Sequence, residues 1–267
     1  KEFKIYYQSW LPDQKAKAII QIVHGFAEHS GRYMNIVSKL IPSTYGIYAN
    51  DHRGHGKSDG KTNYVESFDL YVEDERKLYD IIKKNHPGVP IFMLGHSMGS
   101  GIAFYFAKKY QDLIKGLIVS GAGVRLGEEL SPFVRFMSKV LSKIAPKMSI
   151  DPKLKPESLS HDPEIVQNYK KDPLVHYQKI TTRLGYELLK RFSDLKVVVS
   201  VLNLPLLVQV GSEDEAVQGI DELANSLNME DKTINVYKGL YHEVYNEIKE
   251  EREKVLRDLV NWLENHV

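Results

Sequence analysis

Cysteine is missing from all 267 residues. Its absence removes disulfides, thiol nucleophiles, iron–sulfur clusters and cysteine-ligated zinc. Hydroxyl, carboxylate, lysine and histidine groups are left for covalent chemistry. Long apolar runs are missing too, since the strongest, Val197 to Leu202, is far shorter than a membrane span. No signal-peptide pattern opens the chain at Lys1. Together these predict a cytoplasmic location, with membrane contact limited to the periphery. Neither sign of charge dominates: 36 Lys and Arg against 35 Asp and Glu leave +1, which gives no global field to draw nucleic acid. Repeats and low-complexity tracts are absent. What is present is ordinary globular composition, 42% hydrophobic and 27% charged. A chain of this length hides roughly three quarters of its unfolded surface and suits one large domain, or a domain with an insertion.

Short apolar, β-branched runs recur at Lys4–Trp10, Ala18–His24, Gly46–Asn50, Pro90–Leu94, Gly116–Ser120, Pro205–Val210 and Thr233–Tyr237. Helical spacing falls between most of them, at Ser67–Lys83, Gly99–Lys109, Glu222–Leu227 and Val244–Leu263. Strands alternating with helices predict an α/β fold, a mainly parallel sheet covered on both faces. Such sheets carry their sites on loops at the carboxyl ends of the strands. One stretch breaks the alternation. From Gly123 to about Leu204 no clear strand appears, and roughly 80 residues are too many for a structureless loop. It reads as a helical cap that returns through a helix around Thr182–Leu195.

The sharpest local signal is Gly95-His96-Ser97-Met98-Gly99, between an apolar strand and a helix. Gly-x-Ser-x-Gly in that setting is a nucleophile elbow. The serine sits in a strained turn, and Cβ atoms at 95 and 99 would collide with neighbouring backbone. The turn lifts the Ser97 hydroxyl to the amino end of a helix, where the dipole favours developing negative charge. Serine needs a base, and the base needs an acid to orient it, in the chain order Ser, Asp, His for this fold. Asp214 follows one strand in Gly211-Ser212-Glu213-Asp214, and His242 follows the next in Gly239-Leu240-Tyr241-His242. Spacing alone leaves Glu213 and Glu215 open as rivals to Asp214. His161 and His176 fall in the cap, and topology counts them as surface residues. The two oxyanion amides are expected from Met98, directly after the nucleophile, and from Phe26, in the loop after Ala18–His24.

The runs His24–Tyr33, Asp51-His52-Arg53-Gly54-His55-Gly56-Lys57-Ser58, Gly95–Gly99, Gly211–Asp214 and Tyr241-His242 together resemble the monoacylglycerol lipase and lysophospholipase branch of the α/β-hydrolases. The resemblance covers nearly the whole chain. It implies an α/β-hydrolase fold, a mostly parallel sheet flanked by helices with a cap inserted after the sixth strand. The core would then be 1–124 and 192–267, and the cap 125–191. It also implies a Ser97/Asp214/His242 triad, oxyanion amides at Phe26 and Met98, and an ester substrate, with monoacylglycerol first. It selects Asp214 over its glutamate neighbours. Glu28 and Arg32 are implied as partners of a polar glycerol head; an internal salt bridge that shapes the oxyanion loop is the other reading. Asp51, His52 and His55 lack the H-E-x-x-H metal pattern, and neither metal nor cofactor is expected. A lysophospholipase or a short-chain carboxylesterase would use the same chemistry, whereas a non-catalytic binding module on this fold has no need of the triad. Two departures stand out. The chain after Asp214 is about two residues shorter than usual in this branch, and the first half of the leading hairpin is not seen.

The cap carries a candidate helix, Leu130–Lys147. Leu130, Phe133, Val134, Met137, Val140, Leu141 and Ile144 recur along it at helical spacing, with Arg135, Lys139, Lys143 and Lys147 opposite. A basic amphipathic helix above a site suits contact with an anionic lipid surface and admission of an acyl chain. Phe133 and Met137 are therefore candidate substrate contacts. The alternative is a stripe packed on the core beneath solvated lysines.

Overall fold

The structure, a computed structural model, describes residues 3–126 and 131–267. Seven strands form the main sheet: β1 (Tyr7–Trp10), β2 (Ala18–Val23), β3 (Tyr45–Asn50), β4 (Ile91–His96), β5 (Gly116–Ser120), β6 (Leu206–Gly211) and β7 (Lys232–Tyr237). Their order is β1-β3-β2-β4-β5-β6-β7. Only β1 runs antiparallel to its neighbour; the other pairs are parallel. β2, β4 and β5 are buried on both faces, as expected where helices cover both sides of a parallel sheet.

Side chains alternate between two cores, as the period of a strand requires. Ile19, Val23, Met93, Val119, Leu206 and Val208 face α2 (Asp69–Asn85) and α3 (Met98–Tyr110). Ile20, Ile22, Phe92, Leu94, Ile118 and Leu207 face α1 (Met34–Leu40) and the last helix, Lys249–Glu264. That helix starts later than the periodicity from Val244 suggests, because a short 3-10 turn at Val244–Asn246 and an extended Glu247 come first.

Between β5 and β6 lie α4 (Pro132–Ile144), α5 (Pro163–Lys171), α6 (Thr182–Ser193) and α7 (Leu195–Val199). Two short antiparallel ladders tie this region down, Arg125–Leu126 with Val217–Gln218 and Ser149–Ile150 with Ile180–Thr181. The insertion follows the fifth strand of the sheet, not the sixth, because a single antiparallel strand precedes β2 among the described residues. α6 runs unbroken through 191–192 and docks on α3: a Cβ at Gly101 would stand 2.8 Å from the Phe192 ring. α8 (Ile220–Ser226) and α9 (Lys249–Glu264) complete the chain.

Candidate active site

Ser97 sits between β4 and α3 with φ 53° and ψ −118°. This is a left-handed backbone that a non-glycine residue adopts at a cost of order 1–3 kcal/mol, and only where its surroundings impose it. They do so here. The Ser97 N–H donates to the Ser120 carbonyl of β5 (3.0 Å), and the Ser100 hydroxyl donates to the Ser97 carbonyl (2.6 Å). A Cβ at Gly95 would stand 2.4 Å from the Gly99 carbonyl oxygen, and one at Gly99 only 2.0 Å from that of Val23. The two glycines therefore let β4 and α3 close on each other and on β2. Met98 opens α3, and its N–H, like that of Gly99, has no acceptor within the helix.

The loop after β2 faces this elbow. A Cβ at Gly25 would come within 3.2 Å of the Ser97 Cβ. Phe26 follows, and Ala27 turns the chain with φ 53°. Glu28 holds the loop: one carboxylate oxygen accepts from the Gly25 N–H (2.5 Å) and the Tyr33 hydroxyl (2.8 Å), and the other from Arg32 (2.8 Å). Arg32 also makes a bidentate pair with Glu243, at 2.7 and 2.8 Å, and lies over the Tyr169 ring. All three charged groups are nearly inaccessible. Burial alone would lower the Arg32 guanidinium and raise the Glu243 carboxyl. Their mutual attraction overrides it, raising the guanidinium and lowering the carboxyl. Both oxygens of Glu28 and both terminal nitrogens of Arg32 are thus engaged internally, which favours the loop-shaping reading of this pair.

Asp214 and His242 leave adjacent strands, β6 and β7, at their carboxyl ends. His242 Nδ1 lies 2.7 Å from Asp214 Oδ2, and both side chains are about 95% shielded from solvent. The other Asp214 oxygen accepts from the Ala216 and Val217 N–H groups (2.8 and 3.0 Å). The chain after Asp214 therefore closes back on the carboxylate. Glu213 and Glu215 line a groove with Lys155, Glu157 and Asp214 itself, and Asp214 is the member of that run paired with His242. Burial on its own would depress the His242 imidazole. The Asp214 charge and hydrogen bond outweigh it, helped by Glu243 and Glu28, and hold the imidazole above its ordinary value of 6.5. Asp214, in spite of burial, stays below the usual carboxylate value because of His242 and the two amides. The His242 ring lies 4.8 Å from that of His96, the residue before Ser97. Ser97, Asp214 and His242 thus all follow the carboxyl ends of strands in the sheet, with the Gly25 turn against Ser97 and the His242 ring against His96.

The cap candidates are placed differently. Phe133 is 71% exposed and Met137 half-buried on α4, while Leu130 lies outside the described residues. Phe136 and Ile144 are also exposed, so the apolar stripe is only partly packed. Among the described residues no group of three or more His, Asp or Glu is placed to hold a metal ion, and no helix is long and apolar enough to cross a membrane. His52 and His55 are buried against His24, the residue that opens the oxyanion loop. His161 and His176 are exposed, as expected of surface residues, and His161 in addition stacks on Tyr241. Glu243 was not singled out from sequence, because its partner Arg32 is 211 residues away.

The fold and site define a serine-hydrolase-type α/β-hydrolase, and comparison agrees: the Hydrolase_4 family, described as serine aminopeptidase S33, matches residues 14–249, and the chain belongs to it. Within that family it is a carboxylic ester hydrolase of the monoacylglycerol lipase-like branch. It is similar to a monoacylglycerol lipase of Mycolicibacterium smegmatis, with 36% identity over 266 residues, 99% of this chain and 94% of the relative. It is also similar to the Homo sapiens monoglyceride lipase, 31% identical over 97% of this chain and 86% of the relative. The crystal structure of Paleococcus ferrophilus monoacylglycerol lipase superposes with a TM-score of 0.89 at 30% identity, covering 99% of this chain and all of that one.

Proposed function

We propose that this enzyme hydrolyses monoacylglycerol to glycerol and a free fatty acid by two-step acyl transfer. The 2.7 Å contact between His242 and Asp214, beside an elbow that strains Ser97, carries the reading. Ser97 attacks the ester carbonyl while His242 takes its proton; Asp214 fixes the imidazole tautomer and stabilises the cation. The Phe26 and Met98 amides receive the oxyanion. His242 then protonates the departing glycerol oxygen and activates the water that releases the acid. Glu28 and Arg32 first shape the loop that presents Phe26; contact with a glycerol hydroxyl is their second role. Phe133 and Met137 border the route for the acyl chain.

In this proposal the core is 1–124 and 192–267 and the cap 125–191, with the return falling inside α6. The exposed apolar side chains of α4, beside Lys139 and Lys143, favour peripheral contact with a membrane or micelle surface. Relatives named monoacylglycerol and monoglyceride lipases favour the neutral glyceride, while a Bacillus subtilis relative, 29% identical, is named a phospholipase. Rates on 1-monooleoylglycerol and lysophosphatidylcholine separate the two. Ser97→Ala is expected to lower kcat on the order of 10⁶-fold and to block fluorophosphonate labelling without unfolding the protein. Labelling that persists in the variant overturns the assignment.

A further inference from the structure

The loop that carries His242 is held by more than its aspartate. Residues 240–247 lie against a stretch of the cap, 158–162. The Glu243 N–H donates to the Leu159 carbonyl (2.8 Å), and the Ser160 hydroxyl donates to the Asn246 carbonyl (2.7 Å). Glu247 stands at the centre and is fully buried. One of its oxygens accepts from the Tyr241 N–H (2.8 Å) and from His161 Nδ1 (3.0 Å); the other accepts from the His161 N–H (3.0 Å). The His161 ring stacks on Tyr241, with centroids 3.7 Å apart and planes 23° from parallel.

A carboxylate removed from water needs donors on both oxygens. Of the three donor groups on Glu247, two belong to His161 of the cap, and the third is the amide of the residue just before His242. The carboxylate is therefore satisfied only while the cap stretch and the histidine loop stay docked. The geometry points to Glu247 and His161 as positioning residues for His242. They make 158–162 a fixed wall of the active site, separate from the exposed α4. The inference rests on the reading of His242 as the general base. A reacting group displaced by about 1 Å costs on the order of 10²-fold in rate, so loss of the clamp belongs in kcat rather than KM.

Two variants test it. Glu247→Gln turns one acceptor into a donor that, in either amide orientation, faces a backbone N–H, that of His161 or that of Tyr241. His161→Phe keeps the stack on Tyr241 and removes the Nδ1–H donor; being partly exposed, it carries the test if Glu247→Gln does not fold. Turnover of a soluble p-nitrophenyl ester is measured per site titrated by fluorophosphonate, with the downfield proton resonance of His242 Nδ1–H recorded alongside. The expected result is a kcat lowered about tenfold or more, KM within about twofold, and a shifted or broadened resonance. Wild-type kcat per titrated site in a folded variant, with the resonance unmoved, overturns the proposal. His242→Ala runs beside them. If it is inactive while both variants match wild type, the clamp alone fails; if it keeps the wild-type rate, the triad reading fails first.

Discussion

At the scale of single residues, one imidazole has to be basic enough to take a proton from Ser97 and still be neutral at working pH. Asp214, with Glu243 and Glu28 behind it, holds His242 above 6.5 despite burial. Protonation disables the base, so kcat/KM is expected to rise with pH through a midpoint above 6.5, read from a rate profile on a soluble ester. Asp214→Asn removes the main raising influence. It is expected to cut kcat by about 10⁴-fold and to move that midpoint down; a midpoint unchanged in the variant contradicts the pairing. Stability has its own signs. His242, raised in the folded state, contributes below its ordinary value and loses that contribution as pH rises through the folded one. Asp214, lowered, contributes above its ordinary 3.8 and loses it as pH falls through the folded one. The elbow was legible in five letters because its glycines answer to local sterics. Glu243 and Glu247 were not: each is an ordinary acidic residue in a polar stretch, given meaning by a partner 211 or 86 residues away.

At the scale of elements, strands and long helices were readable because their periodicities are strong, and the observed ends of α2 and α3 differ from the expected ones by two residues or fewer. Short helices were not. α1 has seven residues, too few turns for a stripe to show. α5 escaped notice although Asp162-Pro163 is a legible start: the Asp162 side chain accepts from the Glu164 N–H (3.0 Å), and Pro163 fills the first turn. The apolar run at Val197–Leu202 has the β-branched content of a strand, yet its first part is α7, packed on α3 and α8. Tertiary context overrode propensity there. α6 anchors the cap by setting Phe192 against Gly101 and letting the Tyr105 hydroxyl donate to the Arg191 carbonyl (3.1 Å). Phe192→Ala is expected to cost about 3–5 kcal/mol, seen as a lower denaturant midpoint at constant slope. A change in slope instead indicates that the cap has come loose from the core.

At the scale of the whole molecule, near-neutral net charge conceals an uneven surface. α4 sets Phe133, Val134, Phe136 and Ile144 in solvent, with Lys139 and Lys143 exposed on the same helix. Charge reversal at Arg135, Lys139, Lys143 and Lys147 is expected to weaken binding to anionic vesicles severalfold while sparing hydrolysis of a soluble ester; sedimentation with phosphatidylserine vesicles reads it. Unchanged sedimentation assigns α4 to packing and solvation alone. The sheet has a further consequence, one that concerns time. The elbow lies on β4, its amide is held by β5, and Gly99 fits under a carbonyl of β2, so three strands well separated in sequence must be in register before Ser97 acquires its backbone twist. Pairings of that kind assemble slowly, after local helices have formed. A newly synthesised molecule therefore has no strained serine until β2, β4 and β5 have paired.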